Sequence, residues 1–220
     1  MLSPLQERIR LAISAVADEL DLALAGGGGL VLSGVVDRRT RDLDFFARYP
    51  SLQPEVVERV QEALEADGLQ VDREEDRPTF ARLRVTSSHD STTIDVGADY
   101  RLEPPVRIKD VAVLAPADLA ADKVLTLWAR GLPRDFVDFA ALTERFSVAE
   151  LCALAARKDG GFLPAGPEGL VAVLAAFPAL PPSAYAEFPV DYPLLAATIE
   201  AAVAEVERLF PPEPSAGLDI

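Results

Sequence analysis

Apolar residues recur at helical spacing at both ends of the chain and at alternating spacing in between. Ile9, Ile13, Val16 and Leu20 share one face of a first predicted helix. Ser3, Pro4 and Gln6 supply its N-cap, first helical position and capping box, and the pattern runs out near Asp21. Leu22 to Ala25 is a short buried strand that runs directly into four glycines, Gly26 to Gly29. Gly26 and Gly27 permit a tight turn, after which Leu30 to Ser33 fits one or two helical turns closed by Gly34.

Polar residues 37–41 form a loop into a strand over 42–47, and the pair Tyr49-Pro50 breaks the pattern. A helix starts at Pro54, buries Val57, Val60 and Leu64, and stops at Gly68. Strand-like runs follow at 69–74, 79–86 and 91–96, separated by Asp76-Arg77-Pro78 and by Ser87 to Asp90. They predict a β-meander in which Arg82 and Arg84 lie on a wet face opposite Ala81, Leu83 and Val85. One more short strand, 111–114, precedes a change of character. From Pro116 on the periodicity is helical, over 116–130, 134–145, 147–157, 167–177 and 192–210. The fold class is therefore α+β, with a mixed core over 1–114, a helical region over 115–210 and a flexible tail over 211–220.

Within this framework the acidic positions stand out. Asp42 and Asp44 are two apart on a strand and point to the same face, while Leu43 and Phe45 point to the other. Asp95 sits between Ile94 and Val96 in a strand predicted to be interior. A carboxylate there needs a counter-charge, such as a metal, unless the strand lies at an edge and Asp95 faces water. Two divalent ions about 4 Å apart, bridged by carboxylates, activate a hydroxyl and neutralise a leaving pyrophosphate. Asp42, Asp44 and Asp95 are candidate ligands for such a site. The glycines are open to two readings, a plain turn or a set of backbone N–H donors for phosphate.

The helical part carries Lys123 and Arg130 on one predicted face and Asp135 and Asp138, just after Arg134, on the next. Such runs are commonly solvated charged faces. Asp138, however, lies between Val137 and Phe139, which suits a carboxylate paired with a lysine across a helical hairpin.

Charge and composition narrow the chemistry. The 36 acidic and 21 basic residues give a net charge of -15, unfavourable for a surface devoted to non-specific nucleic-acid binding. Yet 15 of the 21 Lys and Arg lie between Arg38 and Arg134, which leaves room for an anionic ligand beside the acidic strand. A single histidine, His89, gives little support to zinc sites or Ser-His-Asp triads, and the single cysteine, Cys152, fits a small core residue. No signal segment or membrane-length apolar run is evident, so a cytoplasmic location is expected.

Taken in order, Gly26-Gly27 with Leu30 to Gly34, Arg39 to Phe46, Ile94-Asp95-Val96, Asp118-Leu119 with Lys123, and Arg134 to Asp138 resemble the AbiEii/AbiGii nucleotidyltransferase toxins. These lie within the DNA polymerase β-like nucleotidyltransferase superfamily. The resemblance implies a polymerase β-like core, Mg2+ at Asp42 and Asp44 with Asp95 as the third carboxylate, and an NTP substrate. Its phosphates would lie near Gly26, Gly27 and Gly28, with Thr40, Arg41 and Arg134 also in nucleotide binding. Many relatives carry Ser or Thr where this chain has Gly28, so a hydroxyl contact is missing while backbone donors remain. Lys123 would contact the triphosphate, and Asp135 and Asp138 would complete the catalytic set. The implied acceptor is RNA, in characterised branches the tRNA 3′ end, and the implied partner is an antitoxin encoded nearby. A small-molecule or protein acceptor, or a non-catalytic binding role, are the alternatives.

Overall fold

The computed structural model describes residues 1–48 and 54–211. The expected break at Tyr49-Pro50 lies outside these residues, as does nearly all of the expected tail. By packing the chain divides after Leu119 into two compact units.

The first unit contains α1 (Pro4–Ala17), β1 (Leu22–Ala25), α2 (Gly26–Leu32), β2 (Asp42–Arg48) and α3 (Pro54–Ala66). These are followed by β3 (Gln70–Arg77), β4 (Phe80–Thr86), β5 (Ser91–Asp99), β6 (Val106–Ile108) and β7 (Val111–Val113). The seven strands form one sheet in the order β3-β4-β5-β2-β1-β7-β6. β2 runs parallel to β5, and β1 runs parallel to β7; the other neighbours are antiparallel. The meander is thus β3-β4-β5, and β5 is interior.

Alternation explains how this sheet is covered. Leu43, Phe45, Leu83, Ile94 and Val96 are fully buried on one face, and α1 and α3 bury Ile9, Ile13, Val57, Val60 and Leu64. α1 packs on α3, β5 and β7. Asp42, Asp44, Arg82 and Asp95 occupy the opposite face. The α1 capping box forms as its sequence requires, with Ser3 and Gln6 each accepting from the other's backbone N–H.

Several boundaries differ from expectation. α1 ends at Ala17, and a turn leads to Asp21, whose φ of 48° is left-handed. α2 starts at Gly26, inside the glycine run, and all four of these glycines pack where side chains would collide. β6 gave no signal in the sequence: its residues are largely exposed, and it pairs through its backbone at the sheet edge.

The second unit is helical. α4 (Pro116–Arg130) continues into it, followed by α5 (Pro133–Leu142), α6 (Val148–Lys158), α7 (Leu170–Ala175) and α8 (Tyr192–Leu209). Phe136, Phe177, Tyr185 and Tyr192 form an aromatic cluster with ring centroids 5.3–5.6 Å apart. Cys152 is buried in α6, as its apolar neighbours led us to expect.

Candidate active site

Strand register builds the acidic face of the first unit. Asp44 lies opposite Ala25 of β1 on one side and Asp95 of β5 on the other, and Asp95 lies opposite Arg82 of β4. Residues paired in register share a face about 5 Å from their neighbours. Ala25, Asp44, Asp95 and Arg82 therefore form one row across four strands. Beside it run Asp42, Thr93 and Arg84, and on its other flank Phe46, Gly97 and Phe80.

Gly26 follows Ala25 and has φ +53°; a Cβ there would overlap the Asp44 carboxylate. A side chain at Gly27 would come within 2.6 Å of Thr40 Oγ1. The Cβ direction of Gly28 is different, facing Leu43 and Leu24 in the core, and that of Gly29 faces Leu119. No side chain caps α2. The first two glycines thus bring backbone against the acidic row, and the next two allow α2 to settle on the core.

The loop entering β2 is held by side-chain donors from α1, β5 and the loop itself. Gln6 donates to the Thr40 carbonyl at 3.1 Å, Thr40 donates to the Asp42 carbonyl at 3.0 Å, and Thr92 donates to the Arg41 carbonyl at 3.0 Å. Thr40 is buried, whereas Asp42 and Asp44 are half-buried and open enough to meet a ligand.

Asp95 is buried, and its counter-charge is Arg82. Nε of Arg82 donates to Oδ1 at 2.7 Å and an Nη to Oδ2 at 2.6 Å, a two-pronged arrangement that matches the guanidinium to the carboxylate plane. These bonds to Asp95 are the main cause that raises the Arg82 pKa above its ordinary value, and the charge of Asp42 acts in the same direction. Arg82 also lies over the Phe80 ring at 5.6 Å. Arg84 pairs with Glu74, so both arginines of the wet β4 face are engaged with carboxylates.

Among the described residues, no three Asp, Glu, His or Cys side chains are gathered as ligands of a single ion. The donors present nonetheless fit Mg2+. This small, hard ion is usually held by one or two carboxylates, with waters and substrate phosphates completing its shell. Asp42 and Asp44 share a face, and Gly26 brings its backbone, with no side chain, against the Asp44 carboxylate.

The charged residues of the second unit form their own cluster. Lys123 in α4 pairs with Asp138 in α5 at 3.2 Å; the lysine side chain is 9% exposed and the aspartate wholly buried. Asp135, also wholly buried, receives two bonds from Arg130 at 2.9 Å and the Leu132 N–H at 3.1 Å, while Arg134 lies 4.0 Å away. Asp135 thereby fastens the α4–α5 hairpin around Gly131, which has φ +55°. Lys158 of α6 pairs with Asp122.

Two of these partnerships escape a reading by residue type. The four-residue turn 87–90 makes Thr86 pair with Ser91, and counting back along both strands brings Arg82 opposite Asp95. The signal was present as register. Lys158 and Asp122 lie 36 positions apart in sequence, and no local pattern joins them.

The family profile described as "Nucleotidyl transferase AbiEii toxin, Type IV TA system" matches residues 9–214. The chain belongs to the AbiEii nucleotidyltransferase toxin family. An AbiEii-type enzyme is accordingly a transferase of toxin–antitoxin type. No curated protein matches the chain. Solved structures share its fold. JHP933 from Helicobacter pylori aligns with a TM-score of 0.57 at 16% identity, covering 95% of this chain and 96% of its own. MenT4, a nucleotidyltransferase toxin from Mycobacterium tuberculosis, aligns with a TM-score of 0.58 at 20% identity, covering 90% and 82%. Among the described residues, no helix of this AbiEii member is long and apolar enough to cross a membrane.

Proposed function

We propose that this AbiEii-family enzyme transfers a nucleotide from an NTP to an RNA hydroxyl, at the 3′ end of a tRNA, with Mg2+ as cofactor. The acceptor oxygen bonds to the α-phosphorus while the bond from that phosphorus to the bridging oxygen of pyrophosphate breaks. Pyrophosphate leaves with the electron pair, and the acceptor gives up its proton to the carboxylate face. The observation that carries this reading is the row Ala25, Asp44, Asp95 and Arg82, with Gly26 against Asp44.

In this reading Asp42 and Asp44, with Asp95 beside them, hold divalent metal, which when bound neutralises phosphate charge and activates the hydroxyl. Asp95 also orients the acceptor hydroxyl. The backbone N–H groups of Gly26, Gly27 and Gly28 serve the phosphates, and Thr40, Arg41 and Arg134 take part in nucleotide binding. The cation for the departing pyrophosphate is Lys123, held in place by Asp138. Asp135 acts through the hairpin that it fastens. An antitoxin is the protein partner that membership of the AbiEii family implies.

The test is labelled NTP, each of the four in turn, with a tRNA pool and Mg2+. Label is expected on tRNA, with pyrophosphate released; no transfer by folded protein with any nucleotide overturns the reading. A second reading, a cationic hydroxylated small molecule as acceptor, draws support from Arg82 and Arg84 being paired with carboxylates, which leaves less positive charge to guide RNA. Label on an aminoglycoside with none on tRNA would select it.

A further inference from the structure

Arg82 sits in register between Asp95 of β5 and Glu75 of β3, with Asp42 in the row beside it. It faces Asp95 directly, it is in the same row as Asp44, and the charge of Asp42 acts on it. Its two prongs engage both Asp95 oxygens, at 2.7 and 2.6 Å. A buried carboxylate without a counter-charge would be costly in an interior strand, and Arg82 gives Asp95 one within the sheet itself. A cation fixed beside a cation-binding face has a further consequence: it repels the incoming metal.

We propose that Arg82 is a positioning residue that fixes the plane of the Asp95 carboxylate and, by its charge, sets how weakly the acidic face holds divalent metal. The proposal rests on the metal role given above to Asp42 and Asp44. It assigns two separable properties to one side chain. The charge governs metal affinity, and the planar fork governs the orientation of Asp95. Lysine preserves the first and loses the second, because an ammonium is a point charge with no fork. Glutamine removes the charge and the second prong together.

The experiment titrates Mn2+ into the intact protein and follows free Mn2+ by electron paramagnetic resonance, for wild type, Arg82→Gln, Arg82→Lys and Asp44→Asn. Nucleotide transfer at saturating metal is measured alongside. Arg82→Gln is expected to bind Mn2+ at least about fivefold more tightly, as loss of a neighbouring unit charge requires, and yet to transfer with a lower kcat. Arg82→Lys should bind Mn2+ within about twofold of wild type but share the loss of kcat. A merely structural role would weaken metal binding and transfer together. Wild-type binding of Mn2+ that is unchanged or weaker in Arg82→Gln overturns the proposal alone. Should Arg82→Gln not fold, wild-type kcat in Arg82→Lys overturns it. Absence of Mn2+ binding by the wild-type protein, with Asp44→Asn no different, overturns the metal assignment and the proposal with it.

Discussion

At Gly26 the left-handed φ of +53° and the closeness of the Asp44 carboxylate act together. An alanine there would meet a backbone penalty of about 1–2 kcal/mol and would push its methyl group into a candidate metal ligand. Gly26→Ala should therefore lose nucleotide transfer while keeping its far-UV circular dichroism; full transfer activity would contradict the placement of Asp44. Cys152 makes the opposite case, a reactive residue type with no chemistry to perform. Burial pushes its thiol up to about 11, so at pH 8 the reactive thiolate is scarce. The native protein should resist a disulfide reagent until it is unfolded, and fast native modification would contradict its burial. The raised value also fixes a sign. The contribution of Cys152 to stability is whole below the unfolded thiol's pKa and is lost as pH rises toward 11. Both residues were legible in the sequence, Gly26 from its place after an apolar strand and Cys152 from Leu151 and Leu154. Arg82 was legible only in part, since alternation puts it on the wet face but its cross-strand partner Asp95 follows only from the register.

Elements that announce themselves by periodicity and caps were the legible ones. α3 starts at Pro54, whose missing N–H leaves one donor fewer to satisfy in the first turn, and the left-handed Gly68 follows its end; α6 has the Ser147 and Glu150 capping box. What pattern could not convey was pairing. β6 has no buried alternation, and α2 begins among glycines whose helical form depends on close packing against Thr40, Leu43 and Leu119. The α4–α5 hairpin lies between these extremes: the spacing of Lys123, Arg130, Asp135 and Asp138 implied facing charges, and packing joins them as one buried pair, Lys123–Asp138, and one in which the exposed Arg130 reaches the buried Asp135. Removing one partner leaves the other charge buried. Asp138→Ala should lower stability by about 3–5 kcal/mol, read as a fall in the urea midpoint of the helical unit. An unchanged midpoint would show that Lys123 does not depend on Asp138.

On the scale of the whole molecule, a net charge of -15 does not favour a nucleotide substrate, but the basic residues are distributed so that the acidic row has its own arginine. Because the buried Asp95 already has Arg82 as its counter-charge, a chelator should abolish transfer and leave the thermal midpoint within about 3 °C, a shift too small for a lost structural metal; a large fall would make the metal a structural one. The chain belongs to the AbiEii family and shares the fold of JHP933 and MenT4, while the acceptor depends on the proposed chemistry. The most direct test is transfer of label from an α-labelled NTP to tRNA by wild-type protein and by Asp44→Asn. Labelled tRNA with the first and a loss of at least about a hundredfold with the second, a little under 3 kcal/mol of barrier, is the predicted result. Equal labelling by both proteins would contradict the assignment of the acidic row as the catalytic centre.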